Sequence, residues 1–193
     1  MNIILDKLPE VIEIDGKQYD INSDFRVIIL FYELLQDRNI PIGEKIIHAL
    51  KLFYKEIPND LAEAVNKLFW FIRCGRELDE EKELGEVKDR PRTTPTYDYC
   101  HDANLFFSAF LQQYNINLQT DKLHWWEFQA LFEGLAECKL IEVMNIRGIK
   151  ITNDMNPSEK SYYRRMKEIY TLPDNRTTEE IEQDFNDTIS SLF

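Results

Sequence analysis

Leu123-His124-Trp125-Trp126-Glu127-Phe128-Gln129-Ala130-Leu131-Phe132-Glu133-Gly134-Leu135 carries two of the three tryptophans of the chain. Read as a helix, Trp125, Phe128, Phe132 and Leu135 follow at spacings of three, four and three and form one apolar stripe. Leu131 widens that stripe, and Trp126 falls off its centre. Asp121 is placed to cap the start, and Gly134 stands where the helix can stop, so the pattern predicts a helix over about residues 122–137. Each buried aromatic removes about 150–250 Å² from water. At roughly 25 cal/mol per Å² this amounts to about 4–6 kcal/mol before entropy is subtracted. The stripe therefore reads as core. Trp126 stays open between core and an exposed anchor for a partner, because tryptophan is favoured at interface hot spots.

The same periodicity runs outward on both sides. Toward the N-terminus, the capping cluster Asn22-Ser23-Asp24 precedes Phe25, Ile28, Ile29, Tyr32 and Leu35. Pro41 opens a second helix with Ile46, Ile47, Leu50, Phe53 and Tyr54 on its buried face, and His48 falls off that face into solvent. Pro58-Asn59-Asp60 restarts the pattern for Leu61, Ala64, Val65, Leu68, Phe69 and Ile72, with Gly75 as the residue just past the end. Toward the C-terminus, Asp102 caps a helix over 103–114 that carries Leu105, Phe106, Ala109, Phe110 and Gln113 on one side. Lys139 to Ile146 reads as helix or turn. Pro157 opens a last helix with Tyr162, Tyr163, Met166, Ile169 and Tyr170 inward and Arg164, Arg165 and Lys167 outward; Pro173 stops it.

One segment is not helical. Val11-Ile12-Glu13-Ile14 alternates, Asp15-Gly16 follows, and Lys17-Gln18-Tyr19-Asp20-Ile21 alternates again. Asp-Gly between two such runs predicts a hairpin with strands at about 10–14 and 17–21. A lone hairpin is marginal, so it must pack on the helices or pair with the edge of another chain.

Composition narrows the function. The 193 residues carry 23 basic and 35 acidic side chains, a net charge of −12. That balance argues against nucleic acid and against an anionic membrane surface. It suits a soluble body, or an acidic face meeting a basic partner. Cys74, Cys100 and Cys138 are widely spaced and make no CxxC, which predicts buried thiols in a reducing cytosol. No leader is expected, because the apolar run Ile3-Ile4-Leu5 is short and Asp6 follows it. No cofactor or metal site is expected: Cys100-His101 and the pair His124 and Glu127 lack ligand spacing. There is no GxSxG, P-loop or dinucleotide fingerprint, and six glycines are poor stock for phosphate cradles. The chain is read as no enzyme, with no catalytic residues.

The fold expected is mainly α, a helical bundle in two lobes with a small N-terminal β-hairpin. Residues 1–75 form a hairpin and three-helix lobe. Residues 76–97 are a charged mobile linker, with a helical turn near Leu78–Leu84. Residues 98–173 are a second helical lobe that includes the tryptophan helix. Residues 174–193 are an acidic amphipathic tail, in which Ile181, Phe185, Ile189 and Leu192 recur at helical spacing. Trp126, Arg164, Arg165, Phe185 and Ile189 are the candidate partner-binding residues.

Five segments carry a resemblance. They are Asp6-Lys7-Leu8-Pro9 with the hairpin, Leu68-Phe69-Trp70-Phe71-Ile72-Arg73-Cys74-Gly75, Ala109-Phe110-Leu111-Gln112-Gln113-Tyr114, Leu123-His124-Trp125-Trp126-Glu127-Phe128, and Tyr162-Tyr163-Arg164-Arg165-Met166-Lys167 through Leu172-Pro173. Over roughly residues 1–173 the chain resembles the bacteriophage "gene product fifteen" family of long-tailed phages and prophages of Gram-positive bacteria. Asn115 stands where the family usually has Gly. The resemblance implies tail morphogenesis, as a non-enzymatic tail assembly chaperone that binds the tape measure protein and other tail proteins in the host bacterial cytoplasm. The alternative it implies is a structural or tail-completion component retained in the virion, and it leaves self-association open.

Overall fold

Asp15 and Gly16 both take left-handed backbone, at φ 51° and 74°, and close a two-residue turn. They join β1 (Val11–Ile14) to β2 (Lys17–Asp20) as an antiparallel hairpin, with Val11 opposite Asp20 and Ile14 opposite Lys17. The computed structural model describes residues 2–76, 95–173 and 187–188. Alternation buries Ile12, Ile14 and Tyr19 and leaves Val11, Glu13, Gln18 and Asp20 exposed. Just past β2, Ile21 bridges to Tyr54, and the Asn22 N–H donates to the Phe53 carbonyl at 2.7 Å. The hairpin is thus held by the helical body.

Seven helices follow among the described residues: α1 (Phe25–Gln36), α2 (Ile42–Phe53), α3 (Leu61–Ile72), α4 (Ala103–Tyr114), α5 (Trp125–Glu133), α6 (Lys139–Gly148) and α7 (Pro157–Ile169). The fold is a mainly helical bundle with a small N-terminal hairpin. Local chemistry sets most of the ends. Asp24 and Asp60 accept N–H groups of the first turns of α1 and α3. Asn156 and Glu159 form a reciprocal capping box, with Pro157 in the first turn of α7.

Two helix ends fix backbone-specific residues. At the end of α3 the Gly75 N–H donates to the Trp70 carbonyl and the Cys74 N–H to the Phe71 carbonyl. That pair of bonds makes Cys74, at φ 56°, the left-handed residue just past the helix, with Gly75 next at φ 73°. α4 ends at Asn115, which is left-handed at φ 55°. Asn is the non-glycine residue that tolerates this conformation best, which suits Asn115 to this helix end.

α5 is shorter than its apolar stripe. Asp121 accepts the Asn117 N–H in its own loop and does not cap the helix. The His124 ring does so: its Nδ1 accepts the Trp126 N–H at 3.0 Å, while Glu127 accepts the His124 N–H. Glu137, left-handed at φ 46°, separates α6 as a distinct helix. In α2, Ile47 is only half-buried, and Lys45 and Ala49 are buried instead. Lys45 Nζ donates to the Leu35 carbonyl near the C-terminus of α1, where a cation is favourable. The cysteines form no disulfide among the described residues, and they are not buried as expected: Cys100 is exposed, and Cys74 and Cys138 are half-buried.

The chain divides into two compact units. The first comprises residues 2–76 with 122–130. In it Phe25 stacks on Phe128 at 4.8 Å, Phe128 on Trp125 at 5.6 Å, and Phe53 leans on Phe71 at 5.0 Å. The second comprises residues 95–121 with 131–173, where Phe132 meets Phe106 and Tyr97, each at 5.0 Å. Sequence order places the whole tryptophan helix with the second lobe. Its first part, through Ala130, belongs to the first unit, because the rings of Trp125 and Phe128 stack with Phe25 of α1. The expected linker, apart from residues 76 and 95–97, and the expected tail, apart from residues 187–188, lie outside the described residues.

Candidate binding surface

Trp126 is buried, at 4% exposure. Its Nε1–H donates to the Phe71 carbonyl at 2.8 Å, and the Trp125 Nε1–H donates to the next carbonyl, that of Ile72, at 2.9 Å. Both carbonyls belong to the last turn of α3, where the helical ladder runs out; the Phe71 carbonyl also accepts the Cys74 N–H, and the Ile72 carbonyl accepts no backbone N–H among those of the described residues. The two adjacent indoles therefore serve as a side-chain cap on a helix distant in sequence. Gly75 lies under the Trp126 ring: a Cβ there would sit 2.8 Å from its outer edge. Of the two readings left open for Trp126, its burial is that of a core residue.

His124 connects the same region to the N-terminal segment. With Nδ1 accepting, the neutral ring carries its proton on Nε2, which donates to the Pro9 carbonyl at 3.1 Å. Burial pushes the His124 pKa below its ordinary value, against the Pro9 bond and the carboxylates of Glu127 and Glu10, which favour the charged form.

The second unit holds an ion pair that sequence reading missed. Arg147 Nη1 and Nη2 donate to the two carboxylate oxygens of Asp102 at 2.5 and 2.9 Å, and both side chains are buried. Arg147 also donates to the carbonyls of Tyr170 at 2.6 Å and Thr96 at 3.0 Å. Asp102 does stand at the N-cap position of α4, but its carboxylate makes no capping bond there; it accepts from Arg147 and from the Asp98 N–H. The signal available in the sequence was Arg147 itself, a guanidinium next to Ile146 in a stretch otherwise apolar at helical spacing.

That network carries α7. Lys167 Nζ donates to the Arg147 carbonyl at 2.6 Å, and Arg147 holds the Tyr170 carbonyl at the end of α7. α7 has no buried residue. Tyr163, Met166, Lys167 and Tyr170 are half-buried, whereas Tyr162 and Ile169 are 52% and 58% exposed. The expected inward stripe is thus only partly inward, and Lys167, expected outward, is drawn in by the carbonyl it caps. Arg164 and Arg165 are exposed, as their positions on the helix require. Tyr162, Arg165 and Ile169, at spacings of three and four, share one exposed face of α7 with apolar area and a guanidinium group, while Arg164 is exposed on another side. Phe185 and Ile189 lie outside the described residues. No helix among the described residues is long and apolar enough to cross a membrane, and none of their His, Cys, Asp and Glu side chains gather in threes as a metal would need.

The family model described as Bacteriophage Gp15 protein matches residues 4–172. The chain belongs to the bacteriophage Gp15 family. The match spans the residues of the hairpin, the indole cap and α7. No curated protein and no solved structure matches the chain. Membership in the Gp15 family gives the chain a general role in phage tail morphogenesis, in company with other tail proteins.

Proposed function

We propose that this Gp15 protein is a non-enzymatic tail assembly chaperone that binds the tape measure protein in the host bacterial cytoplasm during assembly. The observation that carries this reading is α7: a well-capped helix with no buried side chain, presenting Tyr162 and Ile169 on one face with Arg165, and Arg164 exposed on another side. A helix that buries so little of its apolar side supports a partner-binding role, since aromatic and arginine side chains dominate contact energies at interfaces. The net charge of −12 supports the solubilising half of the role by keeping a complex dispersed.

Co-expression with the tape measure protein tests it. The soluble fraction of the tape measure rises with the wild-type chain and falls back with Tyr162→Ser, Arg164→Glu and Arg165→Glu combined. These exposed changes leave the stability of the chain within about 0.5 kcal/mol each. A tape measure equally soluble with and without the chain overturns the proposal. Mass spectrometry of purified virions separates the alternative: abundant peptides from this chain would make it a retained structural component.

A further inference from the structure

Among the described residues, nothing pairs with the outer edge of the hairpin. The Ile21 N–H donates to the Glu10 carbonyl, so Glu10, Ile12 and Ile14 are the residues of the first strand that bond across to the second. The backbone N–H and C=O of Val11 and Glu13 must then point the other way. On the far side of β2 the equivalent outward group, the Asp20 carbonyl, accepts from the Lys55 N–H. Val11 and Glu13 have no such partner among the described residues, and both side chains are exposed.

The charges along this edge are unbalanced. Lys7 pairs with Glu10, Lys17 with Glu56 and Lys55 with Asp20. Glu13 and Asp15 have no cation among the described residues. We propose that the β1 edge is a docking site for an extended, basic segment of another protein, which adds as a third strand. Its backbone bonds to Val11 and Glu13, and its Lys or Arg side chains lie opposite Glu13 and Asp15. A second copy of this chain is the poorer occupant. Two β1 edges paired about Ile12 set Val11 against Glu13 and leave each carboxylate without a cation, between chains that each carry −12. This surface is independent of the α7 reading.

The test uses the full chain and a synthetic ten-residue peptide of alternating Val and Lys, with amide hydrogen exchange read residue by residue. The peptide protects the Val11 and Glu13 amides. A peptide N-methylated at alternate backbone amides does not. Val11→Pro removes an outward N–H and abolishes that protection, while the Ile12 and Ile14 amides stay protected and report an intact hairpin. Glu13→Lys keeps the edge and weakens peptide binding roughly threefold to tenfold. Binding without protection at Val11 and Glu13 overturns the proposal. Concentration-dependent protection with no peptide present also overturns it, in favour of a second copy.

Discussion

Trp125 and Trp126 show how far a single residue could be read in advance. Periodicity placed Trp125, Phe128 and Phe132 in the core, and all three are buried. It could not reveal that the neighbouring indoles cap α3, because the carbonyls they reach are 53 and 55 residues away in sequence. The two caps are unequal. The Phe71 carbonyl keeps the Cys74 N–H if Trp126 Nε1 is lost, whereas the Ile72 carbonyl keeps only the Cys74 thiol at 3.9 Å. Trp125→Phe should therefore cost more than Trp126→Phe, about 1–3 kcal/mol beyond the volume lost, because it strands a buried acceptor. Urea midpoints of the two variants check the order, and equal losses would mean that the indole bonds contribute little. His124 gives a pH prediction with a definite sign. Its folded-state pKa is lowered, chiefly by burial, so the unfolded chain binds a proton where the folded chain does not. Stability is then full above the unfolded value, near about 6.5, and is lost as pH falls from there through the folded value. Protonation at Nδ1 also removes the acceptor that caps α5. The facing groups are the carboxylates of Glu127 and Glu10, the rings of Phe71 and Trp126, and the Pro9 carbonyl. His124→Asn, which retains a capping oxygen, should flatten the stability profile in that window. An unchanged slope would assign the acid sensitivity to other groups.

Among the elements, the hairpin was the most legible and α7 the least. Asp15-Gly16 dictates a turn through backbone sterics alone, with no tertiary information needed. The α7 pattern of Tyr162, Tyr163, Met166, Ile169 and Tyr170 gave an apolar side correctly, but not how much of it the neighbouring helix covers. The extent of cover depends on where Arg147 and Lys167 pull the helix, and those bonds join side chains to carbonyls of other elements. The buried pair makes the strongest prediction here. Asp102→Ala leaves a desolvated guanidinium without its anion and should cost about 3–5 kcal/mol. The loss should be concentrated in α6, α7 and the start of α4, and hydrogen exchange would locate it. Replacing both partners, as Asp102→Leu with Arg147→Met, should recover much of the loss, since the charge that is costly to strand is gone. A double variant as unstable as Asp102→Ala would show that the two carbonyl contacts of the Arg147 side chain, to Tyr170 and Thr96, matter more than the ion pair.

At the scale of the whole molecule, the excess of 35 acidic over 23 basic side chains is readable from composition alone. What composition could not say is which charges do structural work. Lys7–Glu10, Lys17–Glu56, Lys55–Asp20 and Lys139–Glu142 all lie on the surface with side chains roughly half or more exposed. Such pairs contribute about 0–1 kcal/mol each, and salt weakens them. The net charge of −12 acts against them, because excess carboxylates repel one another in the compact state and relax when the chain expands. The buried Arg147–Asp102 pair is shielded from salt by its burial. Added sodium chloride should therefore screen more repulsion than attraction. The thermal midpoint should rise between about 20 and 200 mM salt, where the Debye length shrinks to less than the width of the molecule. Each kcal/mol of relieved repulsion corresponds to roughly 2–4 °C for a chain of this size. The same screening should weaken any complex with a basic partner, so stability and binding should move in opposite directions along one salt series. A midpoint that falls with salt would mean that the surface ion pairs outweigh the repulsion of the net charge.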